Sequence, residues 1–86
     1  MKLVWEEKAW ADYCEWQQAD KKTLKRINDL LEDIRRNGLL QGKGKPERLK
    51  YGNGYSRRID DYNRLVYTLD ELGNIKIISC KGHYEE

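Results

Sequence analysis

The run Arg64-Leu65-Val66-Tyr67-Thr68-Leu69 constrains the fold more than any other stretch of the chain. It concentrates β-branched and aromatic residues, with Asp61-Tyr62-Asn63 before it and Glu71-Leu72-Gly73-Asn74 after it. Turn-forming residues on both sides of such a run mark a strand. A strand this apolar wants neighbours on both edges, and residues 55–60 and 75–81 flank it in sequence. It is therefore expected in the middle of an antiparallel sheet. It also opens on Arg64, a fixed positive charge at the lip of that sheet.

The remaining elements follow from periodicity and punctuation. Residues 2–5 read as a short first strand. Glu6 and Glu7 stand where a helix start favours acids, and Ala9, Trp10, Tyr13, Cys14 and Gln17 recur at helical spacing, so residues 6–18 form a first helix. Trp16 falls off that stripe. Asp20 is a good N-cap for a second helix. Leu24, Ile27, Leu31 and Ile34, with Leu30 beside them, give that helix its apolar face. It is expected to stop near Arg36, at Asn37-Gly38. Two helices joined so closely form an antiparallel hairpin that can cover one face of a sheet. Residues 39–46 form a loop ending Gly42-Lys43-Gly44-Lys45-Pro46, without the spacing of a nucleotide-hydrolase phosphate loop. Strands are expected at 47–51 and 55–60, joined by Gly52-Asn53-Gly54, then at 64–69 and 75–81. The order is β-α-α-β-β-β-β: an α+β fold with a small twisted, antiparallel-rich sheet, a helical hairpin on one face and the other face open.

The chain has 86 residues, enough for one domain, expected to span 1–86. Its three tryptophans and six tyrosines are expected to supply much of the core area. Met1 to Trp5 has no apolar run behind it, and nothing approaches the ~20 apolar residues of a membrane span, so a cytoplasmic protein is expected. Cys14 and Cys80, with one histidine in the chain, do not make a zinc site. Two buried reduced thiols are the ordinary reading, although sequence alone also admits a disulfide. No cofactor is expected.

Net charge is only +2, but its distribution is uneven. Residues 1–20 carry net −3, residues 21–58 net +8 and residues 59–86 net −3. A basic middle between acidic ends is the electrostatic footprint of a nucleic-acid binder. A solvated helix face accounts for Lys21, Lys22, Lys25 and Arg26. It does not account for Lys43, Lys45, Arg48, Lys50, Arg57 and Arg58.

The open face offers Glu47, Lys50, Arg57 or Arg58, Arg64, His83 and Tyr84. Strand alternation sends Glu47 and Lys50 to opposite faces unless a loop or bulge intervenes. It also separates Arg57 from Arg58, one of which is expected to bind backbone phosphate at the edge. A carboxylate, a histidine and an arginine around a phosphodiester are the parts of a metal-independent ribonuclease. The RNA's own 2′-hydroxyl attacks phosphorus; a carboxylate such as Glu47 takes its proton. A histidine, here His83, protonates the departing 5′-oxygen. A guanidinium such as Arg64 holds the charge growing on the phosphoryl oxygens. The expected products are a 2′,3′-cyclic phosphate and a 5′-hydroxyl, and DNA is not cut. Each residue alone has a plainer role: His83 as surface decoration, Glu47 paired with Lys45 or Arg48, Arg64 paired with Asp60 or Asp61, Tyr84 anchoring the terminus or stacking on a base.

The chain resembles the YoeB toxins, within the RelE-like superfamily of messenger-RNA-cleaving toxins of bacterial toxin–antitoxin systems. The resemblance is carried by Met1-Lys2-Leu3-Val4-Trp5, by Trp10, Tyr13 and Trp16 at three-residue spacing, and by Gly42-Lys43-Gly44-Lys45-Pro46-Glu47-x-Leu49-Lys50. It continues through Ser56-Arg57-Arg58-Ile59, Arg64-Leu65-Val66-Tyr67 and Cys80-x-x-His83-Tyr84. It implies a RelE-like, microbial-ribonuclease-like fold and a ribonuclease that enters the ribosomal A site and cuts the messenger. Glu47 falls on the family's base, His83 on its acid and Arg64 on its phosphate-stabilising arginine. Lys50, Arg58 and Tyr84 fall on assisting or RNA-positioning residues. Apart from the resemblance, Arg57 and the mobile, cationic loop lysines Lys43 and Lys45 suit a phosphate chain and are expected as further RNA contacts. The resemblance also implies a cognate antitoxin of the YefM/Phd-like kind, whose disordered C-terminal segment folds onto the toxin, and commonly a homodimer. The sequence departs from the family pattern in two ways. Gly82 replaces the usual aromatic residue before His-Tyr, which is expected to loosen His83, and Glu85-Glu86 extend beyond the tyrosine. The competing readings are a non-catalytic RNA- or ribosome-binding module, and a structural domain that binds an acidic protein partner.

Overall fold

The computed structural model describes residues 2–50 and 52–83. The elements are β1 (Leu3–Trp5), α1 (Glu7–Ala19), α2 (Lys21–Asn37), β2 (Glu47–Arg48), β3 (Tyr55–Arg58), β4 (Arg64–Leu69) and β5 (Ile75–Ser79). They build a five-stranded sheet in the order β1-β5-β4-β3-β2. The Arg64 strand is central, with its expected bounds and its two expected neighbours. All pairings are antiparallel except β1 with β5, which is parallel.

Packing outweighs capping in holding α2 to the sheet. Asp20 caps it, accepting from the N–H groups of Lys22 and Thr23 at 3.1 and 3.2 Å, a device worth about 1 kcal/mol. Ile27, Leu30, Leu31 and Ile34 are buried against Leu65, Tyr67, Ile75 and Ile77, and each fully buried aliphatic contributes roughly 1.5–3 kcal/mol. The helix ends one residue later than expected, where Gly38 at φ 93° takes a backbone conformation that disfavours a β-carbon.

The core is aliphatic rather than aromatic. Tyr67 is fully buried, but Trp10 is 50% exposed and Tyr62 64% exposed. Trp5, Trp10 and Tyr13 pack on one another at the margin of the core, because α1 turns Ala9 and not its large rings inward. Trp16, off the main stripe, donates its indole N–H to the carbonyl of Cys80 at 2.9 Å and covers the end of β5. Cys14 and Cys80 are both free thiols.

β2 is shorter than expected, two residues rather than five. Beyond Arg48, the Leu49 N–H donates to Gly54 O at 2.9 Å. Tyr51 and Tyr84 lie outside the described residues. No helix among the described residues is long and apolar enough to cross a membrane.

Candidate active site

Strand register brings the candidate residues together on the face away from the helices. Glu47 pairs with Ser56, which pairs with Val66, while Arg58 pairs with Arg64. Period-2 alternation then sends Glu47, Ser56, Arg58 and Arg64 to one side. With Lys45, Leu49 and His83 they line a cavity of about 180 Å³. Three cations, one carboxylate and one imidazole thus share one cleft.

Arg64 is held by one end only. Its Nη1 donates to the carbonyls of Asp60 at 2.8 Å and Asn63 at 3.1 Å. Among the described residues nothing engages its Nε or Nη2, which leaves donors for bidentate contact with an oxyanion. The Asp60 carboxylate is committed to the turn: it accepts from the N–H groups of Tyr62 and Asn63 at 2.9 and 2.6 Å. Burial is the largest influence on that carboxyl and would raise its pKa. The opposing hydrogen bonds from Asn63 and Tyr62 and the nearby Arg64 charge leave it below the ordinary value. Asp60 therefore stays ionised while presenting its carbonyl, rather than its carboxylate, to Arg64.

His83 reaches the cleft through the same turn. The Arg64 N–H donates to Gly82 O at 3.0 Å, and the Gly82 N–H donates to Asn63 Oδ1 at 2.8 Å. The His83 ring stands 5.8 Å from that of Tyr62, with Nδ1 3.3 Å from the Tyr62 carbonyl. An aromatic neighbour thus comes from the β3–β4 turn rather than from position 82, where φ of 90° suits glycine. The expected loosening of His83 is met by two backbone-directed hydrogen bonds and one ring contact.

One expectation is corrected. Arg57 does not bind phosphate at the sheet edge, because it is fully buried on the helix-facing side. Its guanidinium pairs with Asp33 and donates to the carbonyls of Gly38 and Gln41 at 2.7 Å and Lys43 at 2.9 Å. Its Nε donates to the Tyr67 hydroxyl at 2.9 Å. A charge so buried persists only when paired and fully hydrogen-bonded, and all of its partners are internal. The Lys43 N–H, with further help from Arg57 and Asn37, lowers the Asp33 pKa against desolvation. Arg57 is thus the hub that folds the glycine-rich loop, while Arg58 is the cleft arginine.

Lys43 and Lys50 are exposed and lie outside the cavity lining, and Tyr84 is outside the described residues. Ser56 and Leu49 line the cleft and were not expected there; alternation from Arg58 and from Glu47 marks both. Asn63 and Tyr62, the supports of the histidine segment, have no sequence signal beyond their place in a turn. Among the described residues no group of histidine, cysteine and carboxylate side chains is arranged to hold a metal ion.

Fold and cleft together define a small α+β protein with a cationic site that carries both a carboxylate and an imidazole. Residues 5–84 match the family described as the YoeB-like toxin of bacterial type II toxin–antitoxin systems. The Escherichia coli K12 toxin YoeB is 46% identical over 86 residues, covering 98% of this chain and all of that one. Two solved structures from Staphylococcus aureus each cover 98% of both chains. The YoeB dimer superposes with a TM-score of 0.90 at 51% identity, and the YoeB–YefM complex with 0.88 at 50%. The chain belongs to the YoeB-like toxin family.

Proposed function

We propose that the protein is a ribosome-dependent endoribonuclease that cuts messenger RNA in the A site and so inhibits translation. The observation that supports it most is the placing of Glu47, Arg58, Arg64 and His83 around a single cavity on the open face of the sheet. Glu47 is exposed, and among the described residues it has no ion-pair partner, so its carboxylate is available to take the 2′-hydroxyl proton. The attacking oxygen closes a cyclic phosphate as the bond to the 5′-oxygen breaks, and His83 supplies the proton to that leaving oxygen. Arg64, through its unengaged Nε and Nη2, stabilises the charge that accumulates on the non-bridging oxygens. Arg58 neutralises the flanking backbone, and Lys50 and Tyr84 assist in positioning RNA. The substrate brings its own nucleophile, so the protein supplies proton transfer and charge and needs no covalent intermediate.

The solved relative bound to YefM supports an antitoxin of that kind as partner, and the solved dimer supports self-association. The resemblance further implies that the antitoxin's disordered C-terminal segment folds onto the toxin. The site of action is the cytoplasm, where the messenger is translated.

The test is to map messenger ends on translating ribosomes with wild type, Glu47→Gln and His83→Gln. Cuts confined to A-site codons that fall in both variants support the reading. Ribosome binding without cuts in any lane overturns it in favour of a binding module.

A further inference from the structure

We propose that Lys45 is a phosphate-contacting side chain of the cleft, aimed there by a strained backbone that the buried Arg57–Asp33 pair imposes on its loop. The proposal rests on the ribonuclease reading above and gives one of its expected RNA contacts a position in the cleft and a structural cause.

Among the described residues, Lys45 is the only non-glycine with positive φ, at 50°. A β-carbon is disfavoured there, and strain of this kind persists only where the surroundings over-determine it. Pro46 restricts the residue before it still further. The same loop uses glycine at its other positions of positive φ, Gly42 at 108° and Gly44 at 82°. A third glycine at position 45 would relieve the backbone, yet the position holds a lysine.

The loop cannot relax around it. The Lys43 N–H donates to the Asp33 carboxylate at 2.9 Å. The Arg57 guanidinium takes the carbonyls of Gly38, Gln41 and Lys43. The Arg58 N–H donates to Gly44 O at 2.7 Å. A β-carbon on Gly42 would come within 1.9 Å of Asp33 Oδ2, and one on Gly44 within 2.9 Å of Leu30 Cδ2, so neither neighbour can take over as the side-chain-bearing position. Lys45 is left as the loop residue that lines the cavity with Glu47, Arg58, Arg64 and His83. It is exposed and makes no ion pair among the described residues. An ammonium here adds a compact, mobile charge beside the fixed fork of Arg64. Through it, the buried pair on the helix side of the sheet orients chemistry on the other side.

The experiment compares wild type, Lys45→Gly, Lys45→Gln and Lys45→Arg, with Glu47→Gln as control. Single-turnover messenger cleavage is measured on ribosomes. Affinity is measured, as a function of salt, for a message with 2′-O-methyl ribose at the cut position. Lys45→Gly is expected to melt at or above the wild-type temperature because the strain is gone, yet to cleave about 10²-fold more slowly. Its binding should lose about one unit of log-affinity slope against log salt. Lys45→Gln should be slow as well, and Lys45→Arg should recover most of the lost rate. If Lys45→Gly cleaves at the wild-type rate with an unchanged salt slope while Glu47→Gln is inactive, the Lys45 proposal falls and the ribonuclease reading stands. If wild type itself does not cleave, both fall.

Discussion

The backbone N–H of Arg64 donates to the carbonyl of Gly82 at 3.0 Å, so the arginine at the head of the central strand directly holds the residue that precedes His83. Asn63 completes the link by accepting the Gly82 N–H on its side-chain oxygen. Two groups of the cleft that lie far apart in sequence are therefore joined by one short backbone connection. Asn63→Ala removes the second half of that link. It is expected to lower stability by about 0.5–1.5 kcal/mol, the net contribution of a typical hydrogen bond, since this one is only partly buried. Cleavage should fall by more than that loss explains, because misplacement of a catalytic group by about 1 Å can cost 10²-fold. Urea unfolding and single-turnover cleavage at a temperature where the variant is fully folded check the two parts. Unchanged cleavage would remove the link from the account.

Arg57 and Arg58 are adjacent and opposite in consequence. Arg57→Ala leaves Asp33 without its ion-pair partner and three loop carbonyls without a donor; breaking a buried pair costs about 3–5 kcal/mol. Arg58→Gln should change stability by no more than about 0.5 kcal/mol while weakening RNA binding and reducing its salt dependence. Urea midpoints and salt-dependent binding of both variants are the check, and the reverse pattern would contradict the assignment of faces.

Stability should fall in acid. The carboxyl of Asp20 is lowered first by the Thr23 hydroxyl, that of Asp33 by the Lys43 N–H and that of Asp70 by the Asn74 N–H, each from an ordinary value of 3.8. Groups with depressed folded values contribute stability that is fully present above the ordinary value and is lost as pH falls through the folded one. The urea midpoint should therefore hold at about pH 5 and drop steadily towards about pH 2. A midpoint indifferent to pH over that range would contradict the hydrogen-bonding assigned to these three aspartates.

The two thiols should react very differently. Cys80 is fully buried, and desolvation, helped by the nearby Asp12 charge, pushes its pKa up to about 12. Cys14 is partly exposed. The thiolate is the reactive form, so a thiol reagent should label Cys14 in the native state and reach Cys80 only on unfolding. Mass spectrometry after labelling reads this directly, and equal labelling of both would contradict the burial of Cys80.

Local signals in the sequence were enough for most of the fold. β4 has its expected bounds because strong strand formers meet turn residues at both ends. α2 has its expected start because Asp20 caps it. The length of β2 was not legible: Gly52 and Gly54 announce a turn but do not say how soon pairing stops before it. Alternation separated Arg57 from Arg58 without saying which one faces the helices. That depends on Asp33, which is 24 residues away from Arg57 and has no local mark. Nor did composition reveal that large rings would sit at the margin of the core, since that depends on which side of α1 meets the sheet. The cleft itself was legible as a set of residue types, and the register of three strands and one turn supplies its convergence.

If the RNA attacks itself while the protein moves protons and holds charge, the cut depends on the 2′-hydroxyl beside it. The most direct measurement places one 2′-deoxy nucleotide on the 5′ side of a mapped cut in a message on translating ribosomes, and reads both cutting and end chemistry. The all-ribose message is expected to yield a 2′,3′-cyclic phosphate and a 5′-hydroxyl, and the single deoxy substitution to abolish that cut while the protein still binds. Cleavage of the substituted message at the same position and rate would contradict this mechanism.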